Sequence, residues 1–190
     1  MTKTLRILFF IQFFNLFTVE LLNPVYAAYV VNIGGSLFTA GSALSVRLAV
    51  IGILIFISGK VAGKYHTERL QLLVGYCIGL VVVIGYLLIS TPTQLFVLQI
   101  LLGLSVAIAQ PAYNGMFSSR LGNASHTSLW GTYFAMTYFS GALAALSSGL
   151  ISQTYGFDSL FYAMIFTQSL GVLGTLFLYF VQTETNHPAT

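Results

Sequence analysis

Residues 95–117 read LFVLQILLGLSVAIAQPAYNGMF, an apolar run of 23 residues without a charged side chain. A helix needs about 20 mainly apolar residues to cross the hydrocarbon core of a bilayer. A β-barrel strand would instead alternate polar and apolar residues over about ten positions. The run therefore predicts a membrane-spanning helix.

The composition of the whole chain agrees with this interpretation. Of its 190 residues, 57% are hydrophobic and 6% are charged, whereas about 25% of a soluble domain is charged. Too few solvated groups are present to cover a globular surface, which argues against a soluble enzyme, a nucleic-acid-binding protein and a disordered chain. No metal motif, nucleotide-binding loop or catalytic set can be read either, so we expect no cofactor and no enzymatic activity.

Six apolar runs predict an all-α membrane protein with six transmembrane helices in a single domain, residues 1–190. They are approximately residues 6–31, 37–58, 70–89, 95–117, 129–152 and 160–181. The segments between them are short and rich in turn residues. The first run resembles a signal peptide, but it is too long and contains Asn15 and Glu20, so we expect it to be retained.

The basic residues predict the orientation. With the N-terminus inside, the inner segments hold six of the seven basic residues: Lys3, Arg6, Lys60, Lys64, Arg69 and Arg120. The outer segments hold none, and Arg47 lies within the second run. Because cytoplasmic loops carry an excess of Lys and Arg, both termini are predicted to be cytoplasmic, in a cell membrane.

The two halves of the sequence, about 1–90 and 91–190, resemble each other. Three matches keep their order at offsets of 87, 92 and 90 residues: 23–26 (NPVY) with 110–113 (QPAY), 36–38 (SLF) with 128–130 (SLW), and 58–65 with 148–155. Since the first predicted helix runs outward and the fourth inward, this pattern favours a 3+3 inverted repeat, which is typical of transporters. Prolines that simply kink helices near their ends are the alternative.

The segment between the second and third predicted helices, residues 59–69, reads GKVAGKYHTER. It resembles the Gly-x-x-x-Asp-Arg/Lys-x-Gly-Arg/Lys loop of the major facilitator superfamily, and the glycine-rich fifth run is similar to that family's fifth helix. The resemblance implies a gating role for five residues: Gly59, Lys60, Gly63, Lys64 and Arg69. The family's aspartate falls on Gly63, and Gln99 stands where many members have an arginine, so the contact of that aspartate and a proton relay through that arginine are not carried over.

The resemblance also implies one six-helix half of a major facilitator transporter. Two copies in the same orientation would rebuild the usual twelve helices as a parallel homodimer, unless the chain is a fragment or a degenerate half. Helices 2 and 5 face the other half in that family, which assigns the small residues Gly141, Ala145 and Gly149 to the dimer seam.

Polar residues within the predicted spans give the candidate site for substrate binding and translocation. The set is Gln12, Asn15, Glu20, Asn23, Tyr26, Arg47, Gln99, Gln110, Tyr113 and Asn114. The amides lie on one face of the first and fourth predicted helices, which line the central cavity in that family. Amides and phenols suit a neutral hydroxylated solute, so a sugar-like molecule is favoured, and hydrogen bonding between helices is the alternative.

The charged residues Glu20 and Arg47 leave two interpretations open. They form an internal ion pair, or Glu20 titrates, as in a proton symporter, while Arg47 receives substrate charge. Arg47 also keeps a small organic anion open as the solute. The chain is predicted to be a secondary active transporter working by alternating access. A non-transporting assembly or partner protein in the lipid bilayer is the alternative.

Overall fold

A computed structural model describes residues 3–120 and 126–184 of the chain, and over this range all regular structure is helical. The elements are α1 (Lys3–Leu22), a 3₁₀ turn (Asn23–Val25), α2 (Tyr26–Asn32), α3 (Leu37–Tyr65), α4 (Glu68–Tyr86), α5 (Pro92–Ser118) and α6 (His126–Glu184). The predicted connection at residues 118–128 lies partly outside the described residues.

The first span is a helix broken at a proline. α1, the 3₁₀ turn and α2 form one apolar stretch, Thr4–Asn32, that is long enough to cross a membrane. Pro24 has no N–H to donate and its ring clashes with the preceding turn, so the backbone tightens into the 3₁₀ turn there. The predicted first helix at residues 6–31 is therefore present, with a kink.

Within the described residues five apolar helical stretches could span a membrane by length and composition, where the sequence predicted six. They are Thr4–Asn32, Leu37–Tyr65, Glu68–Tyr86, Pro92–Ser118 and Thr127–Phe180. The fifth stretch covers both the fifth and the sixth predicted runs, because α6 continues through residues 153–159, where the sequence predicted a connecting segment.

The long helix α6 is interrupted at Gly156, whose φ of 81° and ψ of 176° are not helical. This backbone conformation is essentially restricted to glycine. It divides α6 into an N-terminal arm, residues 126–155, and a C-terminal arm, residues 157–184.

Contacts with α1 give the direction of the two arms. Later residues of the N-terminal arm meet later residues of α1, in the pairs Tyr133–Gln12 and Gly141–Glu20. Later residues of the C-terminal arm meet earlier residues of α1, in the pairs Thr167–Thr18 and Gly171–Ile11. The two arms therefore run in opposite directions along the same helix.

Two apolar clusters form the core, one towards each end of the bundle. One includes Leu5, Leu72 and Phe117, and the other includes Leu21, Tyr86 and Phe161.

The cluster around Leu5 lies at the end of the bundle that carries the basic residues, which we call the basic end. These residues are Arg6 near the start of α1, Lys60 and Lys64 near the end of α3, Arg69 at the start of α4 and Arg120 after α5. Arg120 is hydrogen-bonded to Thr4 there, at 3.4 Å.

Small residues bring α4 close to its neighbours. A Cβ added to Gly75 would lie 2.7 Å from the Cβ of Ala109 on α5, and one added to Gly79 would lie 2.9 Å from Nε2 of Gln168. Backbone atoms of α5 also lie within 3.0 Å at Gly75, so that position has no room for a side chain, whereas at Gly79 the end of the Gln168 side chain would have to move. Both glycines therefore serve packing within the chain.

The predicted dimer-seam residues divide into two environments. Gly141 is half-buried against Glu20 of α1, so it contributes to packing within the chain. Ala145 and Gly149 are exposed on the N-terminal arm, which leaves them accessible to another molecule in the bilayer.

The break at Gly156 provides a test of the fold. Gly156→Ala should lower the free energy of unfolding by about 1–3 kcal/mol, because alanine would be held in a backbone region that L-residues rarely occupy. Gly131→Ala is the matched control, since a Cβ there also meets no atom within 4 Å but the backbone is helical. Unfolding of the purified protein in mild detergent measures both. Equal stability of the two variants would contradict the break.

Candidate functional site

A cavity of about 260 Å³ lies among α1, α3, α4, α5 and both arms of α6. Its wall combines apolar side chains with a set of polar ones. Eight of the ten predicted site residues line it: Gln12, Asn15, Asn23, Tyr26, Arg47, Gln110, Tyr113 and Asn114. The other two, Glu20 and Gln99, lie outside the lining.

At the basic end of the cavity, Gln12 joins three helices. The hydroxyl of Tyr76 on α4 donates to Oε1 of Gln12 at 3.0 Å, and Nε2 of Gln12 donates to the hydroxyl of Tyr133 on α6 at 3.3 Å. The ring of Tyr133 is tilted against that of Tyr113, with centroids 6.1 Å apart. We call Gln12, Tyr76, Tyr113 and Tyr133 the basic-end cluster.

Gln99 joins helices in a similar way at the opposite end of the cavity. Its side chain is fully buried, and its Nε2 donates to the hydroxyl of Tyr26 at 3.1 Å and to that of Tyr86 at 2.9 Å. Its Oε1 is buried and has no hydrogen-bond partner within the described residues. We call Gln99, Tyr26 and Tyr86 the far-end cluster.

The remaining amides differ from Gln12 and Gln99. Asn15, Asn23, Gln110 and Asn114 line the cavity, and none of these side chains forms a hydrogen bond with residues 3–120 or 126–184. Asn23, Gln110 and Asn114 are exposed, and Asn15 is half-buried. The stripe that the sequence predicted as one set thus contains two glutamines engaged in interhelical bonding and four amides that are available to a ligand.

Glu20 and Arg47 do not form an ion pair in the part of the chain that the structure describes. Glu20 is half-buried and its carboxyl group lies against Gly141 of α6. Arg47 is half-buried and lines the cavity together with Tyr26 and Tyr86. Of the two interpretations left open above, the internal ion pair is therefore not the arrangement in this structure.

The predicted gating segment, residues 59–69, is largely helical. α3 continues to Tyr65 and is closed by His66 in a left-handed conformation, with φ of 52°. Gly59 and Gly63 thus sit within the last turns of α3. Lys60 lies over the ring of Phe56, with Nζ 4.2 Å from the centroid, and Lys64 lies over Tyr65. The prediction of a loop from residue 59 was wrong, because the run of helix-compatible residues continues through both glycines.

Sequence reasoning missed the aromatic partners of the two glutamines. Tyr76 and Tyr86 on α4 and Tyr133 on α6 complete the two clusters, yet tyrosine in an apolar run also reads as packing or as an interfacial anchor. The spacing of ten residues between Tyr76 and Tyr86 was the available signal, because it places them about three turns apart, one near the middle of α4 and one at its end.

A family model described as Major Facilitator Superfamily matches residues 8–190. The chain belongs to the Major Facilitator Superfamily. The resemblance noted in the sequence is thereby confirmed over nearly the whole chain. The comparison with curated proteins finds no match.

Membership in the Major Facilitator Superfamily, together with the apolar helices, makes this an integral multi-pass membrane protein. Members of the superfamily are membrane transporters and not enzymes, so the membership supports a transport role in general terms.

The hydrogen bond from Tyr76 to Gln12 in the basic-end cluster can be tested by mutation. Tyr76→Phe removes the donor to Oε1 of Gln12 and should lower the free energy of unfolding by about 0.6–1.5 kcal/mol. Tyr138→Phe is the matched control, because Tyr138 is 75% exposed on the outside of α6 and should change stability little. Unfolding in mixed micelles compares the two. A Tyr76→Phe variant as stable as the control would show that this hydrogen bond contributes nothing.

Proposed function

We propose that the chain is a secondary active transporter that carries a small polar solute through the cavity by alternating access. The observation that carries this proposal is the group of cavity-lining polar side chains without hydrogen-bond partners in the described chain: Asn15, Asn23, Arg47, Gln110 and Asn114. Polar groups inside a membrane are costly unless they are satisfied. A hydrated cavity with a polar solute satisfies them.

The opposite directions of the two α6 arms support six crossings. A continuous 54-residue stretch would extend about 80 Å at 1.5 Å per residue, far more than the thickness of about 30 Å of a hydrocarbon core. We therefore propose that residues 126–155 and 157–184 cross separately, turning at Gly156.

The two glutamine clusters support the 3+3 inverted repeat. Gln12 and Gln99 are 87 residues apart, as are Pro24 and Pro111. In an inverted repeat equivalent residues occupy opposite ends of the molecule, and these two glutamines bond tyrosines at opposite ends of one cavity. The proposed repeat thus relates the two clusters that flank the solute.

The basic end is proposed to face the cytoplasm, because Lys and Arg concentrate on the cytoplasmic side of membrane proteins. Alternating access would then open the basic-end cluster to the cytoplasm and the far-end cluster to the outside. Hydrogen bonds between membrane helices contribute about 0.6 kcal/mol each on average. Such a cluster can open and close reversibly without a large input of energy.

A parallel homodimer is proposed from the exposed amides. Asn23, Gln110 and Asn114 are exposed in a single chain, and in a lone bundle they would be open to lipid. A second copy in the same orientation would enclose them in a shared cavity. Ala145 and Gly149, which are also exposed, would allow close approach of the helices at the seam.

Three finer predictions stay untested. A neutral sugar-like solute fits the free amides. Proton coupling through Glu20 would need this carboxyl group to reach the cavity in another state, because it lies outside the lining here. The role of a non-transporting assembly partner also remains an alternative, and the test below distinguishes it from transport.

The test is solute uptake into proteoliposomes that contain the purified chain. Labelled sugars, polyols and small organic acids are supplied in separate assays. Asn15→Ala should lower uptake of the transported solute about two- to tenfold, since it removes one hydrogen bond to the solute. Its unfolding should be unchanged, because Asn15 has no hydrogen bond in the described chain to lose.

Asn32→Ala is the matched control, because Asn32 is exposed at the end of α2 and lies outside the cavity lining. It should retain full uptake. Transport would be contradicted if no solute of the panel is taken up. A structural role would be indicated if Asn15→Ala unfolds more easily but transports at the rate of the control.

A further inference from the structure

We propose that the solute is a small organic anion whose negative group is bound by the guanidinium of Arg47 and by the hydroxyls of Tyr26 and Tyr86. This inference rests on the proposed function and names the solute class of the same cavity. It revises the preference for a neutral sugar-like molecule, which the sequence favoured because the amides were the more numerous polar groups.

The charge of the cavity wall is the first observation that supports an anionic solute. Arg47 is the one charged side chain among the described residues that line the cavity, and the lining includes neither Asp nor Glu. Glu20 on α1 is outside the lining, and its side chain lies against Gly141 instead. The cavity therefore carries an uncompensated positive charge, and a homodimer would carry two.

The second observation is that the N–H donors of Arg47 are unused. Its guanidinium forms no hydrogen bond with the described residues, although it offers five N–H donors in a planar fork that suits carboxylate or phosphate. A cation within a membrane protein is costly without a counter-charge. Since residues 3–120 and 126–184 supply none at this position, a solute with a negative group is the complementary ligand.

The third observation is the direction of the hydrogen bonds at the hydroxyls of Tyr26 and Tyr86. Nε2 of Gln99 donates to the hydroxyl oxygens of both Tyr26 and Tyr86, so these oxygens act as acceptors there. Each phenol then keeps its own O–H for donation, and both residues line the cavity. Gln99 thus acts as a positioning residue that leaves two O–H donors available to the cavity that Arg47 also lines.

The experiment measures thermal unfolding of the purified full-length chain in lipid nanodiscs at matched ionic strength. The probes are acid and neutral counterparts, namely lactate and lactamide, malonate and malonamide, and gluconate and glucose, together with inorganic phosphate. A ligand that binds the folded state raises the unfolding midpoint. At least one anion should raise it while its neutral counterpart does not.

Variants test the assigned donors. Arg47→Gln should weaken the binding of that anion about 10- to 100-fold, whereas Arg47→Lys should keep most of it because the charge remains. Gln99→Glu should also abolish binding, since a carboxylate there accepts the phenol protons and supplies Arg47 with an internal counter-charge. Arg6→Gln is the matched control, because it removes a positive charge at the basic end, outside this cavity.

The outcomes separate this inference from the proposed function. The anion site is overturned if no anion stabilises the protein, if a neutral counterpart stabilises it equally, or if Arg47→Gln responds as the unaltered chain does. Uptake of glucose that does not depend on Arg47 would overturn the anion while transport stands. Binding that needs Arg47 without uptake into proteoliposomes would overturn transport while the anion site stands.

Discussion

Polar groups in hydrocarbon must find a partner, and the arrangement of this bundle depends on that constraint. Each unsatisfied group costs several kcal/mol at membrane depth. The chain meets the requirement in two ways. Gln12 and Gln99 bond tyrosines on neighbouring helices, which fixes the helices at the two ends of a cavity. The amides and the guanidinium between them have no partner in the described chain, and we propose that water and a solute satisfy them.

Close packing of α4 depends on two small residues. Gly75 and Gly79 allow α4 to approach α5 and the C-terminal arm of α6 closely, and the contact at Gly75 leaves no room for a side chain. This close approach places Tyr76 within reach of Gln12 and Tyr86 within reach of Gln99. The polar clusters therefore depend on packing through glycines, and Gly156 allows both arms of α6 to complete the wall around α1.

The sequence predicted the membrane class and the first four spans well, because long apolar runs have few alternatives in a membrane. It also named eight residues of the cavity wall, seven from the polar faces of two helices and Arg47 from its charge. It did not separate the bonded glutamines from the free amides, since the partners Tyr76 and Tyr133 lie 64 and 121 residues away from Gln12. Periodicity shows which face of a helix a residue occupies, but not which residue of another helix contacts that face.

For the same reason an ion pair between Glu20 and Arg47 looked plausible from the sequence, although the side chain of Glu20 lies against α6. The end of α3 was placed too early because glycines were read as loop residues.

If one cavity is reached from both sides of the membrane in turn, a cysteine in the cavity wall should be accessible to reagents from both sides. Labelling of such a cysteine measures this accessibility directly. Cys77 is the single cysteine and is exposed, so Cys77→Ser gives a background for Asn15→Cys. A membrane-impermeant thiol reagent is applied to right-side-out and to inverted vesicles, with Ser119→Cys at the basic end as the control. Asn15→Cys should be labelled from both sides, and Ser119→Cys should be labelled from one side. Labelling of Asn15→Cys from a single side, or from neither, would contradict access to one cavity from both sides.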